Sequence, residues 1–285
     1  MEVPSGRLVF SSDRSGNLDL WLLEAGSDDP RQLTTDERWD RDPTFVPDAT
    51  AVLFQSDRVA GPDSPTGLRS YGLYRFDLDT DEVTHLLGSR TYNSGPSLTP
   101  DGSTLSFASD ASGEMHIYFA DPDGSSARQI TEENRSNGGP VWSPDGTSAV
   151  YSTRSGSDDW DLWIMDADGD NRRALLDGPE NDKSADWSPD GQQLVFQSDR
   201  DGGEGAYDLF VLDIDTGEVT ALTSGPGNDQ FPTWSPDGRH VAFDSDRDDT
   251  GEVRTRTNVY LVEVDTGDVA RLTDGDSDSF PDWGP

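Results

Sequence analysis

The sequence predicts an all-β fold, a six-bladed β-propeller with four antiparallel strands in each blade. The first observation behind it is a recurring Ser/Thr-Pro-Asp-Gly turn that follows an aromatic or apolar residue, clearest at residues 142–146, 187–191 and 234–238. The second is an apolar run after each turn, whose aromatic end recurs at steps of 44, 53, 44, 45 and 47 residues. The third is that no stretch shows a convincing helical period of about 3.6. A repeat of this length made of strands is typical of a radial β-fold.

The copy at residues 231–273 shows how one repeat is divided into strands. The inner strand is predicted at 231–235, and the turn at 236–238 leads into an apolar second strand at 241–243. A third strand is expected at 258–264, and Asp265-Thr266-Gly267 turns it into the outer strand at 269–273. Pro presets φ and Gly accepts positive φ, so Pro-Asp-Gly favours a tight hairpin turn.

The two ends of the chain complete each other. The last repeat stops after its inner-strand Trp283, whereas residues 4–10 supply the missing turn and second strand. We therefore expect the C-terminal strand to pair beside the N-terminal three and to close the propeller without an open inner edge. Six repeats of about 47 residues account for the length, and we expect one domain over residues 1–285.

The chain is strongly acidic, with 57 acidic and 21 basic residues and a formal net charge of -36. Asp outnumbers Glu by 45 to 12, and Lys183 is the only lysine. This composition resembles that of proteins from salt-accumulating halophiles, in which salt screens the self-repulsion; an ordinary acidic protein is the alternative. The charge argues against nucleic-acid binding, which needs clustered cations.

Other features limit the function classes further. The chain has no cysteine, which excludes disulfides and thiolate chemistry. No apolar segment reaches the roughly 18 residues of a membrane span, so no membrane insertion is expected. The first four residues are not a signal peptide, so a cytoplasmic location is expected, while an exported form that lost a leader stays open. We expect a monomer.

The repeat phrase identifies a family resemblance. Trp-Ser-Pro-Asp-Gly, followed by Phe-x-Ser-Asp-Arg and then Asp-Leu-Phe or Asp-Leu-Trp, resembles the propeller repeats of the TolB family over nearly the whole chain. It is similar, more weakly, to the propellers of prolyl-oligopeptidase-type peptidases. The sequence lacks the α/β domain that precedes the TolB propeller and the hydrolase domain of the peptidases. The resemblance thus implies a noncatalytic binding platform, with no cofactor required.

The loop-rich rim is the expected binding surface. It carries the two longest insertions, at 58–70 and 247–257, and two Trp residues that fall outside the strand pattern. Aromatic side chains among polar loops suit contact with a protein, peptide or glycan. The alternative is that each Trp folds down onto its own loop. The predicted partner-binding residues are Trp39, Trp160, Tyr92, Phe231 and Phe280.

Every repeat also has Asp or Asn five residues before the end of its inner strand. These residues precede the strands nearest the axis and could form an oxygen-rich girdle that binds Ca²⁺ or another hard cation. Alternatively, the side chains cap the turn that enters each strand. The six residues are Asp40, Asn93, Asn137, Asp182, Asp229 and Asp278.

Two further patterns are interpreted as architecture. The Ser-Asp-Arg element at the end of the second strands, as at Asp246-Arg247, is expected to join loops or blades by ion pairing. The carboxylates at 166, 168, 170 and 177 have the spacing of an EF-hand loop, but Asn171 replaces the required Gly and the segment coincides with a strand turn.

Catalytic motifs are absent from the sequence. It has no nucleophile elbow, phosphate loop or His-Glu-x-x-His helix, and its three histidines fall at unrelated positions of the repeat. The sequence therefore favours a noncatalytic interaction module. The alternative is a carbohydrate-active lyase or hydrolase that uses carboxylates or a bound metal in the central channel.

Overall fold

The computed structural model describes residues 5–58, 65–88, 90–132, 135–154, 159–201, 206–249, 256–275 and 277–285. Within these ranges the chain forms β-strands and turns and no helix. It follows that none of the described segments could cross a membrane as a helix. The strands form six antiparallel sheets, the blades of a six-bladed β-propeller, which confirms the predicted fold class.

We name the blades A to F in chain order, and each runs from an inner to an outer strand. Blade A consists of β25 (Asp278–Gly284), β1 (Arg7–Ser12), β2 (Asp19–Glu24) and β3 (Arg31–Gln32). Blade B consists of β4 (Asp40–Phe45), β5 (Ala51–Ser56), β6 (Gly72–Asp77) and β7 (Val83–Leu87). Blade C consists of β8 (Asn93–Leu98), β9 (Leu105–Ser109), β10 (His116–Ala120) and β11 (Arg128–Gln129).

The remaining blades follow the same order. Blade D has an inner strand in two pieces, β12 (Ser136–Asn137) and β13 (Val141–Trp142), followed by β14 (Ser148–Arg154), β15 (Trp160–Asp166) and β16 (Arg173–Leu176). Blade E consists of β17 (Asp182–Trp187), β18 (Gln193–Ser198), β19 (Asp208–Asp213) and β20 (Val219–Ala221). Blade F consists of β21 (Asp229–Trp234), β22 (His240–Ser245), β23 (Asn258–Glu263) and β24 (Val269–Arg271).

The chain divides into two compact units. The first comprises residues 1–36 and 180–285 and contains blades E, F and A, and the second comprises residues 37–179 and contains blades B, C and D. The expectation of one domain over residues 1–285 stays a prediction.

The chain ends meet within blade A, as predicted. The C-terminal strand β25 pairs antiparallel with β1, in a register that sets Trp283 opposite Leu8 and Asp278 opposite Ser12. The indole Nε1 of Trp283 donates to the carbonyl oxygen of Ser5 at 2.8 Å. The Trp283 side chain is buried with Leu8 and Phe10, so its apolar surface contributes to holding the closed sheet together.

The Pro-Asp-Gly turns adopt the predicted conformation. Gly102 and Gly238 each have a φ of 70°, in the left-handed region where glycine carries no steric penalty. Blade B departs from the pattern, because Ala49 occupies this position with a φ of 50°. Its turn is therefore made with a residue that does not favour the conformation.

Each inner strand contains an irregularity that the sequence did not reveal. In blade F the pairing with the second strand shifts between Gln230 and Thr233, and the residue within the shift, Phe231, has a φ of 49°. Such a β-bulge re-aims the side chains at the start of the strand. The residues at the position of Phe231 in blades A to E are Phe280, Asp42, Gly95, Gly139 and Ser184.

Candidate binding site

The loop end of a blade is the end at which its inner and third strands begin. In four blades the first residue of the inner strand is a buried Asp that forms an ion pair with the Arg of the Ser-Asp-Arg element in the same blade. In blade F, Arg247 Nη2 donates to Asp229 Oδ2 at 2.6 Å. The equivalent pairs are Arg14 with Asp278 at 2.8 Å, Arg58 with Asp40 at 2.5 Å and Arg200 with Asp182 at 2.9 Å.

The other two blades have Asn at this position, and its amide binds a backbone carbonyl oxygen. Asn93 Nδ2 donates to the carbonyl oxygen of Tyr71 at 2.6 Å, and Asn137 Nδ2 donates to that of Met115 at 3.2 Å. In blade C the residue that would supply the arginine is Ala111. In blade C, an uncharged amide therefore occupies the buried position where the sequence offers no arginine to neutralise a carboxylate.

The Asp of the Ser-Asp-Arg element holds the same loop from the other side. Asp57, Asp199 and Asp246 each accept the backbone N–H of the residue before the inner strand, at 2.9, 2.8 and 2.8 Å respectively. Both charged residues of the element therefore connect the second strand to the loop that enters the inner strand. This matches the interpretation of the element as architecture, with the ion pairs lying within a blade.

The arginines also cover a pair of stacked aromatic rings. Phe243 and Tyr260 stack at 5.9 Å between centroids, and the guanidinium carbon of Arg247 lies 5.2 Å from each centroid. The stack combines a cation–π contact with the ion pair to Asp229. Arg14, Arg58 and Arg200 cover the equivalent rings of blades A, B and E.

These contacts bear on the predicted calcium girdle. The four Asp carboxylates accept from guanidinium groups, and the two Asn amides bind backbone carbonyl oxygens. Across the residues that the structure describes, no group of three or more His, Asp or Glu side chains could hold a metal ion. A Ca²⁺ site at Asp40, Asn93, Asn137, Asp182, Asp229 and Asp278 stays a prediction without a supporting contact.

Two predicted partner-binding residues lie together in the unit that contains blades E, F and A. The rings of Phe231 and Phe280 are 4.3 Å apart between centroids, and both side chains are partly exposed. Their φ angles are 49° and 54°, a region that bulky residues rarely adopt. Gln197 Oε1 accepts the N–H of Phe231 at 3.1 Å and Asp244 Oδ2 that of Phe280 at 3.0 Å, so the strained conformations are held in place.

The other unit carries a mixed aromatic and basic cluster around Tyr92. Arg41 Nη2 donates to the Tyr92 hydroxyl at 3.0 Å, and the Arg41 guanidinium lies 4.8 Å from the Tyr71 ring centroid. Tyr71 and Tyr92 meet edge to face at 5.7 Å. Desolvation raises the pKa of the Tyr92 phenol above its ordinary value, and the guanidinium opposes this shift. Tyr92 is therefore a neutral hydrogen-bonding group.

Both tryptophans predicted to bind a partner are covered by an arginine. Trp39 is 42% exposed, and the Arg69 guanidinium lies 4.9 Å from its ring centroid while also pairing with Asp57. Trp160, expected to lie outside the strands, is instead the first residue of β15, and it is half-buried beneath Arg154, whose guanidinium carbon lies 5.3 Å from the ring centroid. Trp39 thus presents apolar area to solvent, as expected for a binding residue. The Trp160 ring instead packs under an arginine of its own blade, which resembles the alternative that the ring folds down.

Several carboxyl groups in the unit of blades E, F and A have displaced pKa values. Burial raises the pKa of Asp244 to about 8, opposed by the hydrogen bond from Phe280 N–H. Desolvation raises the pKa of Asp186 to about 6, although the N–H groups of Trp234 and Trp187 donate to it. These two carboxyl groups bind backbone N–H groups of inner strands, which gives them a structural role.

Sequence reasoning missed the cations that flank these aromatic residues. Arg41 and Lys183 occupy the second position of their inner strands, and each lies over a tyrosine that precedes the third strand, Tyr71 at 4.8 Å and Tyr207 at 4.5 Å. Only 21 of the 285 residues are basic, so the recurrence of a cation at this position of two repeats could have indicated these contacts from the sequence.

Comparison with known proteins places the repeat in a family. The profile described as the TolB beta propeller domain matches residues 66–159 and 136–207. A TolB homolog of Chlorobium luteolum is 30% identical over 158 residues, which is 53% of this chain and 32% of the relative.

Two further relatives show how far the likeness extends. An uncharacterized protein of Agrobacterium fabrum is 30% identical over 52% of this chain and 48% of its own length. An uncharacterized peptidase of Bacillus subtilis is 28% identical over 41% of this chain and 18% of its own, in line with the weaker resemblance to peptidase propellers. In all three relatives the match spans less than half of their length.

Solved structures support the same fold. TolB from Acinetobacter baumannii superposes with a TM-score of 0.79 at 18% identity, covering 98% of this chain and 67% of that one. A chain of a nidogen/laminin complex superposes with a TM-score of 0.75 at 14% identity, covering 98% of both chains. The family profile confirms the TolB resemblance seen in the repeats over residues 66–207, and the solved structures agree with the fold: the protein is a six-bladed β-propeller with TolB-like repeats.

Proposed function

We propose that the protein is a noncatalytic interaction module that binds a protein or peptide segment at the loop ends of its blades. The observation that carries the proposal is the Phe231–Phe280 pair. Two bulky aromatic residues are kept at positive φ, and their rings stay partly exposed in a chain of net charge -36. Positive φ recurs at this position in blades B, C and E, so what distinguishes blades A and F is that the bulge presents a bulky aromatic ring.

The chemistry of the exposed groups suits a peptide. Phe231 and Phe280 offer apolar area, and in the other unit Trp39 and Tyr92 offer an indole and a phenol beside arginines. Aromatic and arginine side chains dominate the energetics of protein interfaces. Trp160, beneath Arg154, contributes a smaller exposed edge.

The acidic skin determines how the partner approaches. With a net charge of -36, the protein attracts cationic partners over long range and repels anionic ones, and salt weakens both effects. We further propose that the composition is an adaptation to high salt. A basic or neutral segment with apolar side chains is the best fit to the aromatic groups.

The test is a selection of binders. A random peptide display library would be screened against the immobilised protein in high salt, and a glycan array would be probed in the same buffer. Enrichment of peptides that carry apolar side chains supports the proposal. Specific glycan binding without peptide enrichment would contradict it and favour a carbohydrate ligand.

A further inference from the structure

Lys183 has an unusual setting in an acidic protein. It is the only lysine of the chain, which has 57 acidic residues. Its Nζ lies 4.5 Å from the Tyr207 ring centroid, and no carboxylate of the described residues lies within ion-pairing distance of it. The adjacent Asp182 is occupied by Arg200. A half-buried ammonium group is thus held over an aromatic face with its hydrogen-bonding capacity unused.

A second unused donor lies beside it. Gln197 is fully buried, directly opposite Lys183 in the antiparallel register of β17 and β18, so the two side chains project from the same face of the sheet. Gln197 Oε1 accepts the N–H of Phe231 at 3.1 Å, but Gln197 Nε2 has no partner among the described residues. A buried donor without an acceptor costs stability unless a bound group satisfies it.

Blade B has the same arrangement and supplies an internal acceptor for its cation. Arg41 lies opposite Gln55 in the register and over the Tyr71 ring, as Lys183 lies opposite Gln197 and over Tyr207. There the Tyr92 hydroxyl, from the loop that enters the next blade, accepts from Arg41 at 3.0 Å.

Blade E lacks this internal acceptor. The residue that corresponds to Tyr92 is Asn228, whose Oδ1 accepts the N–H of Tyr207 at 3.1 Å and whose amide faces Asp246. The position taken by a phenolic oxygen in blade B is therefore left to an external acceptor in blade E. The other four blades combine neither a cation with a glutamine nor a glutamine with a tyrosine at these positions.

We propose that Lys183, Gln197 and Tyr207 form a carboxylate-binding site at the loop end of blade E. The ammonium and the Gln197 amide donate to the two oxygens of the carboxylate, and Tyr207 holds the lysine in place. The carboxylate belongs to a peptide, as a side chain or as a chain terminus. This goes beyond the proposed function, because the site would bind a small carboxylate whether or not the aromatic groups capture a partner.

The single lysine makes a direct test possible. Reductive ¹³C-methylation labels only Lys183 and the N-terminal amine, so one side-chain resonance reports on the site. Three acetylated Gly-Ser peptides would be titrated: one with a free C-terminal carboxylate, its C-terminal amide, and that amide with one internal Glu. A saturable shift with either acidic peptide supports the site and identifies the source of the carboxylate.

Other results would overturn it. These are no saturable shift with either acidic peptide, an equal shift with the neutral amide, or a shift with inorganic phosphate alone. Gln197→Glu keeps the acceptor for Phe231 N–H but replaces the free donor with a charge, and it should weaken carboxylate binding at least about tenfold. Gln230→Glu adds the same charge to blade F and should leave the affinity within about twofold. Equal affinity in both variants would contradict the proposal, and each variant's melting curve would verify folding.

Discussion

Phe231 and Phe280 occupy the same position of adjacent inner strands, and their rings lie 4.3 Å apart although both residues have positive φ. At the same position blades C and D have Gly95 and Gly139, which approach so closely that a Cβ on Gly95 would lie 2.8 Å from the Gly139 Cα. Within each of these two pairs of adjacent blades, the residues at this position therefore approach each other closely. In blades F and A the residues at this position are Phe231 and Phe280, and their partly exposed rings form an aromatic surface.

The ion pairs at the loop ends give the first prediction. Replacing Arg247 by Ala leaves the Asp229 carboxylate buried without its cation and should lower the free energy of unfolding by about 3 kcal/mol. Adding Asp229→Asn reproduces the neutral arrangement of blade C and should recover part of that loss. Chemical denaturation of the single and double variants measures both changes. A double variant less stable than Arg247→Ala would contradict the pairing rule.

The buried carboxyl of Asp244 gives a pH prediction. Its pKa is about 8 in the folded protein and near 3.8 when exposed, so between these values the folded chain keeps a proton that the unfolded chain releases. Its contribution to stability is therefore complete below about pH 4 and is lost as the pH rises to 8. Asp244→Asn keeps an acceptor for Phe280 N–H and should be more stable than the wild type at pH 8.

Denaturation of both proteins between pH 4 and 8 provides the comparison. The stability advantage of Asp244→Asn should grow with pH across this range. A constant difference would show that the group does not titrate there.

The turns give a third prediction, about backbone strain. Gly102 has a φ of 70°, and a Cβ added there would meet no atom within 4 Å, so Gly102→Ala isolates the conformational penalty and should cost about 1 kcal/mol. Ala49→Gly relieves the same strain in blade B but removes a buried methyl group, so its net change should be smaller. Urea denaturation measures the free energy of unfolding of both variants. An unchanged value for Gly102→Ala would contradict the predicted backbone strain.

The net charge gives a fourth prediction. At -36, self-repulsion should destabilise the fold at low ionic strength, and salt should raise the melting temperature as the Debye length falls from about 10 Å at 0.1 M to about 3 Å at 1 M. Calorimetry in KCl measures this effect, with betaine at matched osmolality as a control that does not screen charge. A melting temperature independent of KCl between about 0.1 and 3 M would contradict the proposed adaptation to salt.

The strands, the turns and the closure of blade A could be predicted from the sequence. These features depend on local signals that recur in the repeats, such as the turn glycine at Gly238 and the apolar run after it. The closure followed from Trp283, an inner-strand residue without a second strand after it, and the pairing of β25 with β1 confirms it.

The candidate site was only partly predictable. The recurring spacing of Asp229 and Arg247 was visible, but their pairing depends on how two strands of one sheet bring both to its loop end. No sequence feature predicted the positive φ of Phe231, because the bulge is imposed by strand pairing and by the hydrogen bond to Gln197. Phe is not a residue that favours this conformation. The contact of Lys183 with Tyr207 likewise requires the fold.

The most direct test of the proposed function is the affinity of a selected peptide for a variant that lacks both rings. Phe231→Gly with Phe280→Gly removes the aromatic surface while relieving the positive φ, and Ser184→Gly relieves it at the same position in blade E. By fluorescence titration in high salt, we predict that the double variant binds at least about tenfold more weakly while Ser184→Gly retains its affinity. Equal binding by the folded double variant would contradict the claim that this aromatic pair is the binding surface.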